Sequence, residues 1–185
     1  MNKSTNSLPP IDLLRKFFFY CEKSKKLIRF AQYSRQGKYE LLDEPRPVGT
    51  LHKNGYLVVK FQKQELRVHR IIWAIVYGQD PGEKQIDHIN GKKSDNRIEN
   101  LRLADASENQ WNVGGRKSYA GKPVKVPYKG VYLVGNTIIA KIKFKNQTIY
   151  LGSFDSYEKA AEAYAKAAKN LHQEFANFQL PKVKA

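Results

Sequence analysis

Apolar residues recur at helical spacing through Val68, Ile71, Ile72, Ile75 and Val76, which predicts one amphipathic helix over 66–77 that stops at Gly78. Before it, Lys53-Asn54-Gly55 reads as a tight hairpin turn leading into a β-branched and aromatic strand over 56–61. After Pro81-Gly82 the pattern gives a strand over 85–89, a polar loop over 90–96, a second short run over 98–103, and a helix through Trp111 capped by Asp105-x-x-Glu108. The C-terminal part alternates strictly. Ile138, Ala140, Ile142 and Phe144 fall on one face of a strand, with Lys141, Lys143 and Lys145 on the other. Flanking strands are expected over 129–134 and 148–154, with a turn at Asn146-Gln147. An alanine-rich helix over 156–172, capped by Asp155-x-x-Glu158, should then lie close against that sheet. The fold class is α+β.

Residues 1–50 open with Leu13, Leu14 and Phe17 to Phe19, then Leu27-Ile28-Arg29-Phe30 as a short strand. They are expected to pack, as a supporting segment, on the module formed by 51–113. Pro181 to Ala185 reads as a frayed tail.

Charge changes the picture. The 185 residues carry 33 Lys and Arg against 17 Asp and Glu, a net charge of +16. A field of that sign attracts polyanions, DNA or RNA first among them. Residues 114–185 hold 13 basic and 4 acidic side chains, and no acid falls between Gly114 and Phe154. Residues 114–127, punctuated by glycine and proline, read as a basic linker whose Arg116 and Lys117 meet phosphates. Membrane binding would need a basic amphipathic helix or a lipidation signal, and neither is found. Cys21 is the only cysteine, which excludes an intrachain disulfide and a thiolate zinc cluster. The run Phe17 to Cys21 is too short for a signal peptide or a membrane span, so the cytoplasm is expected (that of a bacterial host if phage-encoded).

Candidate chemistry concentrates in Ile86-Asp87-His88-Ile89-Asn90-Gly91, with Asn96, Asn100 and Asn109 following. Hard divalent cations take oxygen ligands, and magnesium keeps several waters beside one or two protein side chains. A neutral imidazole beside such an ion takes the proton from an attacking water. Asp87 and His88, as neighbours on a strand, share one site only if the strand end is distorted, which Gly91 makes feasible. Asn109, at the start of the capped helix, offers a neutral oxygen, and Asn100 can tie loop backbone groups together. The expectation is a nuclease that uses Mg2+ or Mn2+.

His69-Arg70-Ile71-Ile72-Trp73, the Asp87 segment, Asn96-Arg97-Ile98-Glu99-Asn100-Leu101-Arg102 and Ser107-Glu108-Asn109 together resemble phage-type HNH homing endonucleases over about 50–113. The resemblance implies a ββα-metal fold holding one divalent ion, with Asp87 and Asn109 as its ligands and His88 as general base. Asn100 would be the middle signature residue, ordering the loop. His69 matches a recurrent family position, where a local hydrogen bond and a phosphate or leaving-group contact are equally open.

A second resemblance covers about 128–178. Tyr128-Lys129-Gly130-Val131, Ala140-Lys141-Ile142-Lys143, Leu151-Gly152-Ser153-Phe154-Asp155 and Glu158-Lys159-Ala160-Ala161-Glu162-Ala163-Tyr164 are similar to the plant ethylene-response-factor (APETALA-type) DNA-binding domain. It implies a three-stranded antiparallel sheet in the major groove with one helix behind. DNA-facing candidates by that resemblance are Lys129, Tyr132, Lys141, Lys143, Thr148 and Tyr150. The family favours Arg and Trp at most of these places, so this chain's set fits phosphate binding better than base reading.

The expected organisation is therefore a supporting segment over 1–50, an HNH nuclease domain over 51–113, a basic linker over 114–127 and a DNA-binding domain over 128–180. The expected activity is metal-dependent hydrolysis of double-stranded DNA, by nicking or double-strand cleavage, of phage or mobile-element homing type, by a monomer or weak dimer. The alternatives are a non-catalytic DNA-binding protein with a relic HNH module and, more weakly, an RNA-binding or RNA-cleaving protein.

Overall fold

A computed structural model describes residues 8–114, 118–119, 122–123, 126 and 128–178. The chain divides into two compact units, residues 1–104 and 105–185. That division falls inside the segment expected to form a single nuclease module. Among the described residues no helix is long and apolar enough to cross a membrane.

The first unit opens with α1 (Ile11–Arg15) and an antiparallel sheet of β1 (Phe18–Cys21), β2 (Lys26–Tyr33) and β3 (Tyr39–Pro47), in that order. A second sheet joins β4 (Thr50–Leu51), β5 (Leu57–Phe61) and β6 (Gln64–Arg67), and leads directly into α2 (Val68–Tyr77). The expected helix start at 66 is thus a strand. Phe61 pairs with Gln64, and the two residues between them, Gln62 and Lys63, both take positive φ, as the tightest hairpin turns require. Helix α2 then stops at Gly78 as its periodicity predicts.

One core unites these pieces. Leu14, Phe17, Phe18 and Leu27 of the N-terminal segment are buried against Phe61, Ile71, Ile72 and Leu101. The Phe17 and Phe18 rings meet the Phe61 ring at 4.9 and 5.4 Å. Burying each such side chain is worth roughly 1.5–3 kcal/mol, so the supporting segment is integral to this core. The Tyr20 hydroxyl accepts from the Ile98 N–H at 3.2 Å and ties β1 to the loop before the last ribbon. That ribbon pairs β7 (Gln85–His88) with β8 (Leu101–Ala104). The expected strand over 98–103 begins later, because Ile98–Asn100 forms a 3-10 turn.

The second unit starts with α3 (Ala106–Asn112), carrying the expected capping box between Asp105 and Glu108. Within the stretch expected as linker, β9 (Ser118–Tyr119) pairs with β10 (Lys122–Pro123), while Arg116 and Lys117 lie outside the described residues. The sheet follows as β11 (Val131–Val134), β12 (Thr137–Phe144) and β13 (Gln147–Phe154), antiparallel in that order, and α4 (Tyr157–His172) covers one face. Val131, Ala140 and Ile142 meet Ala160, Ala161, Tyr164 and Ala168 there. The β12–β13 turn sits one residue earlier than expected, at Lys145 and Asn146, both with positive φ. Ser156 caps α4 by accepting from the Lys159 N–H, whereas Asp155, expected in that role, pairs with the Lys159 ammonium at 2.6 Å.

Gly130 explains how helix and sheet approach so closely. Its φ is +72°, and a Cβ there would lie 2.1 Å from the Tyr164 ring and 2.7 Å from the Lys141 carbonyl. Only glycine fits that position.

Candidate active site

The β7–β8 ladder pairs Asp87 with Arg102 and His88 with Leu101, with no register shift. Adjacent side chains on such a ladder leave opposite faces. The ladder ends at His88, and beyond it the Ile89 N–H donates to the Asn100 carbonyl at 2.9 Å before the chain turns at Gly91 with positive φ.

Asp87 is 5% exposed, and its Oδ2 accepts from Arg102 Nε at 2.9 Å and sits 2.8 Å from a terminal nitrogen of the same guanidinium. An unpaired carboxylate at that depth would be costly, and the arginine offsets the cost.

His88 is 4% exposed. Its Nε2 lies 2.8 Å from the amide oxygen of Asn96, itself buried. An amide oxygen only accepts, so Nε2 carries the proton and Nδ1 the lone pair. The His69 ring meets the His88 ring edge-on at 5.1 Å, and Tyr56 lies beside both, at 5.2 Å from His69 and 5.9 Å from His88. Burial pulls the His88 pKa below the usual histidine value, against the opposing pull of Asn96 and Asp87. Burial, with His88 nearby, drives His69 down to about 2. Both rings are therefore neutral at neutral pH, which a general base requires. His69 is a neutral wall behind His88, and its buried Nδ1 has no hydrogen-bond partner.

Asn100 staples the loop between the strands. Its oxygen accepts from the Asn90 N–H at 3.0 Å, and its amide donates to Asn90 Oδ1 at 3.1 Å and to the Asp95 carbonyl at 2.7 Å. Asp95 accepts from Arg97 Nε and Nη2 at 2.8 and 2.9 Å and from Asn90 Nδ2 at 2.7 Å. The Arg97 bond, chief among these causes, holds the Asp95 carboxyl at about 2.

In the second unit, Asn109 is half-buried on α3. Lys141 pairs with Tyr150, Lys143 with Thr148 and Tyr132 with Ile139, so the five expected residues Tyr132, Lys141, Lys143, Thr148 and Tyr150 share the sheet face opposite α4. A groove of about 1050 Å³ is lined by Gln110 and Trp111 of α3, by Tyr132, Lys141, Lys143 and Lys145 of the sheet region, and by Tyr164 and His172 of α4, among others. Lys129 departs from the set. Its ammonium donates to the carbonyls of Trp111 at 2.6 Å and Gln110 at 3.4 Å, an internal bond where a DNA contact was expected.

Sequence reasoning missed Arg102 and Tyr56 as partners and gave Asn96, which it named, no role. Arg102 needed the hairpin register, which pairs it with Asp87. Asn96 and Tyr56 needed the loop and the first hairpin folded onto α2.

Among the described residues no group of three or more His, Cys, Asp or Glu is built to hold a metal ion. The zinc-type cage of imidazoles and thiolates is therefore not what these residues make. A carboxylate and an amide, Asp87 and Asn109, are hard oxygen donors of the kind a largely hydrated magnesium or manganese ion accepts.

Residues 66–111, which hold all of His69, Asp87, His88, Asn96, Asn100 and Asn109, match the family model described as HNH endonuclease. Protein 3.8 of Escherichia phage T7 is 30% identical over 120 residues, covering 61% of this chain and 90% of that protein. A protein of Acanthamoeba polyphaga mimivirus, described as an uncharacterized HNH endonuclease, is 30% identical over 128 residues, covering 68% of this chain and 63% of its own length. A second mimivirus protein of the same description is 31% identical over 80 residues, one fifth of its length. No solved structure matches the chain.

Proposed function

We propose that this chain, which carries an HNH endonuclease domain over residues 66–111, hydrolyses phosphodiester bonds of double-stranded DNA with the help of Mg2+ or Mn2+. The observation that carries the reading is His88, a neutral imidazole whose Nε2 is engaged by Asn96 and whose Nδ1 holds the lone pair. His88 takes the proton from the attacking water at that nitrogen. Asn100 keeps the loop beside it in one conformation. Asp87 and Asn109 would hold the ion, which supplies charge stabilisation at the phosphate and the leaving oxygen when bound. The lysine face of the second unit, formed by Lys141 and Lys143 with Tyr132, Thr148 and Tyr150, binds the DNA backbone in the manner of an ethylene-response-factor domain, and the +16 charge steers the encounter. The role in this reading is of phage or mobile-element homing type, and the relative from Escherichia phage T7 fits a phage setting.

One observation favours the competing reading, DNA binding without cleavage. The His88 ring is almost wholly buried, and Asp87 already accepts from Arg102. Supercoiled plasmid incubated with magnesium or manganese, with and without chelator, separates the two. Metal-dependent, chelator-sensitive nicking or linearisation is the expected result; intact plasmid under every metal, with DNA still bound, would establish the competing reading.

A further inference from the structure

Helix α3, which carries Asn109, is only seven residues long. A helix that short is not stable in water without tertiary support. At its C-terminal end the backbone itself supplies the Val113 N–H to the Gln110 carbonyl at 3.2 Å. Side chains from elsewhere in the second unit supply further donors. The Lys129 ammonium donates to Trp111 and Gln110, and the Asn177 amide donates to the carbonyl of Asn112. A cation at this end also complements the helix dipole.

The side chains are held as well. The Trp111 indole lies flat on the His172 imidazole, with centroids 4.4 Å apart and planes within 6°. His172 is fixed in turn by its Nε2, which donates to the Lys143 carbonyl of β12 at 3.0 Å. Phe144 of the same strand meets Trp111 at 5.6 Å. The helix is thus gripped by its final carbonyls and by its one large aromatic side chain, and every gripping group comes from 129–177. The Lys129 ammonium has given up water for this contact, and that desolvation lowers its pKa to about 8. A lysine kept for phosphate would leave its head in water.

We propose that Lys129, His172 and Asn177 are positioning residues that hold α3, and with it Asn109, in the conformation the nuclease uses. The C-terminal sheet module then has a second task besides DNA contact: it completes the folding of the nuclease helix. This rests on the nuclease reading. It also accounts for the placement of α3 with the C-terminal unit, although the helix ends the segment that matches the HNH family.

The test is amide hydrogen exchange across α3 in the full chain without added metal, read beside plasmid nicking and DNA affinity. The variants are Lys129→Met and Asn177→Ala, with Lys166→Met on the exposed side of α4 as a control for lost charge. Lys129→Met should speed exchange of the amides of residues 109–113, and slow nicking, by roughly ten-fold, the worth of one charged hydrogen bond. DNA affinity should stay within a few-fold. Lys129→Arg should recover part of both effects, and Lys166→Met should show neither. Asn177→Ala should act in the same direction more weakly, and it keeps the test decisive if Lys129→Met does not fold. Unchanged α3 exchange in both variants would overturn the proposal. So would a fall in DNA affinity that matches the fall in nicking with exchange unchanged, which would assign Lys129 to phosphate. A wild-type chain that fails to cut under any metal sinks the nuclease reading instead, and the exchange result stands apart from it.

Discussion

The imidazole of His88 presents Nε2 to the amide oxygen of Asn96 at 2.8 Å, with both side chains buried. An acceptor facing one ring nitrogen fixes the tautomer and leaves the other nitrogen basic. Asn96→Ala frees the ring to take either tautomer and to tilt. We expect nicking to fall between about ten- and a hundred-fold, as for other partners that orient an active histidine, with DNA affinity unchanged. Nitrogen-15 shifts of the His88 ring check the cause: one tautomer in the wild type, a mixture in the variant.

His69 makes stability sensitive to acid. The ring titrates near 6.5 in the unfolded chain and at about 2 in the folded one. Its depressed value means that the stability it permits is complete above pH 6.5 and is lost as pH falls from there towards 2. The slope from this ring alone approaches about 1.4 kcal/mol per pH unit. Urea unfolding at stepped pH should show that decline, and His69→Gln should flatten it whatever it does to stability at pH 7. An identical slope in the variant would remove His69 as its source.

At Gly130 the expected change is structural. Gly130→Ala places a methyl against the Tyr164 ring and the Lys141 carbonyl, at a φ that L residues rarely adopt. Overpacking and backbone strain together should cost about 3 kcal/mol. Thermal unfolding should show the loss in the C-terminal unit. A melting temperature equal to wild type would mean that helix and sheet do not approach this closely.

The lysine face predicts salt dependence. Lys141→Ala with Lys143→Ala removes two phosphate contacts, so the slope of log affinity against log salt should become shallower by about 2. Binding should weaken alike on unrelated sequences. A variant whose affinity falls only on one sequence would indicate base reading by these lysines.

Much of this molecule was legible in its residues, and the exceptions have physical reasons. The strict alternation at 137–144 and the greasy stripe of α2 were plain, because one periodicity dominated each. Strand β6 was hidden by the turn before it. Gln62 and Lys63 hold positive φ without the glycine or asparagine that usually marks such turns, so Leu66 read as a helix start. Strand β3 was hidden for another reason. Nearly every residue in it is exposed, so it buries no alternating face to detect, and Pro45 and Pro47 argue against a strand at all. In the candidate site, the types Asp, His and Asn were visible, but their partners were not. Arg102 is set by register and Asn96 by loop closure, both of which are long-range. Lys129 carries the same charge as Lys141 and Lys143, and only its burial and its bond to the Trp111 carbonyl set it apart from them.

The measurement that bears most directly on the account is single-turnover cleavage of plasmid by His88→Ala beside the wild type, with DNA affinity measured on the same samples. A lost general base should slow cleavage by at least about a hundred-fold while binding stays within a few-fold. Cleavage at the wild-type rate, or parallel loss of cutting and binding in a folded variant, would contradict the role given to that ring.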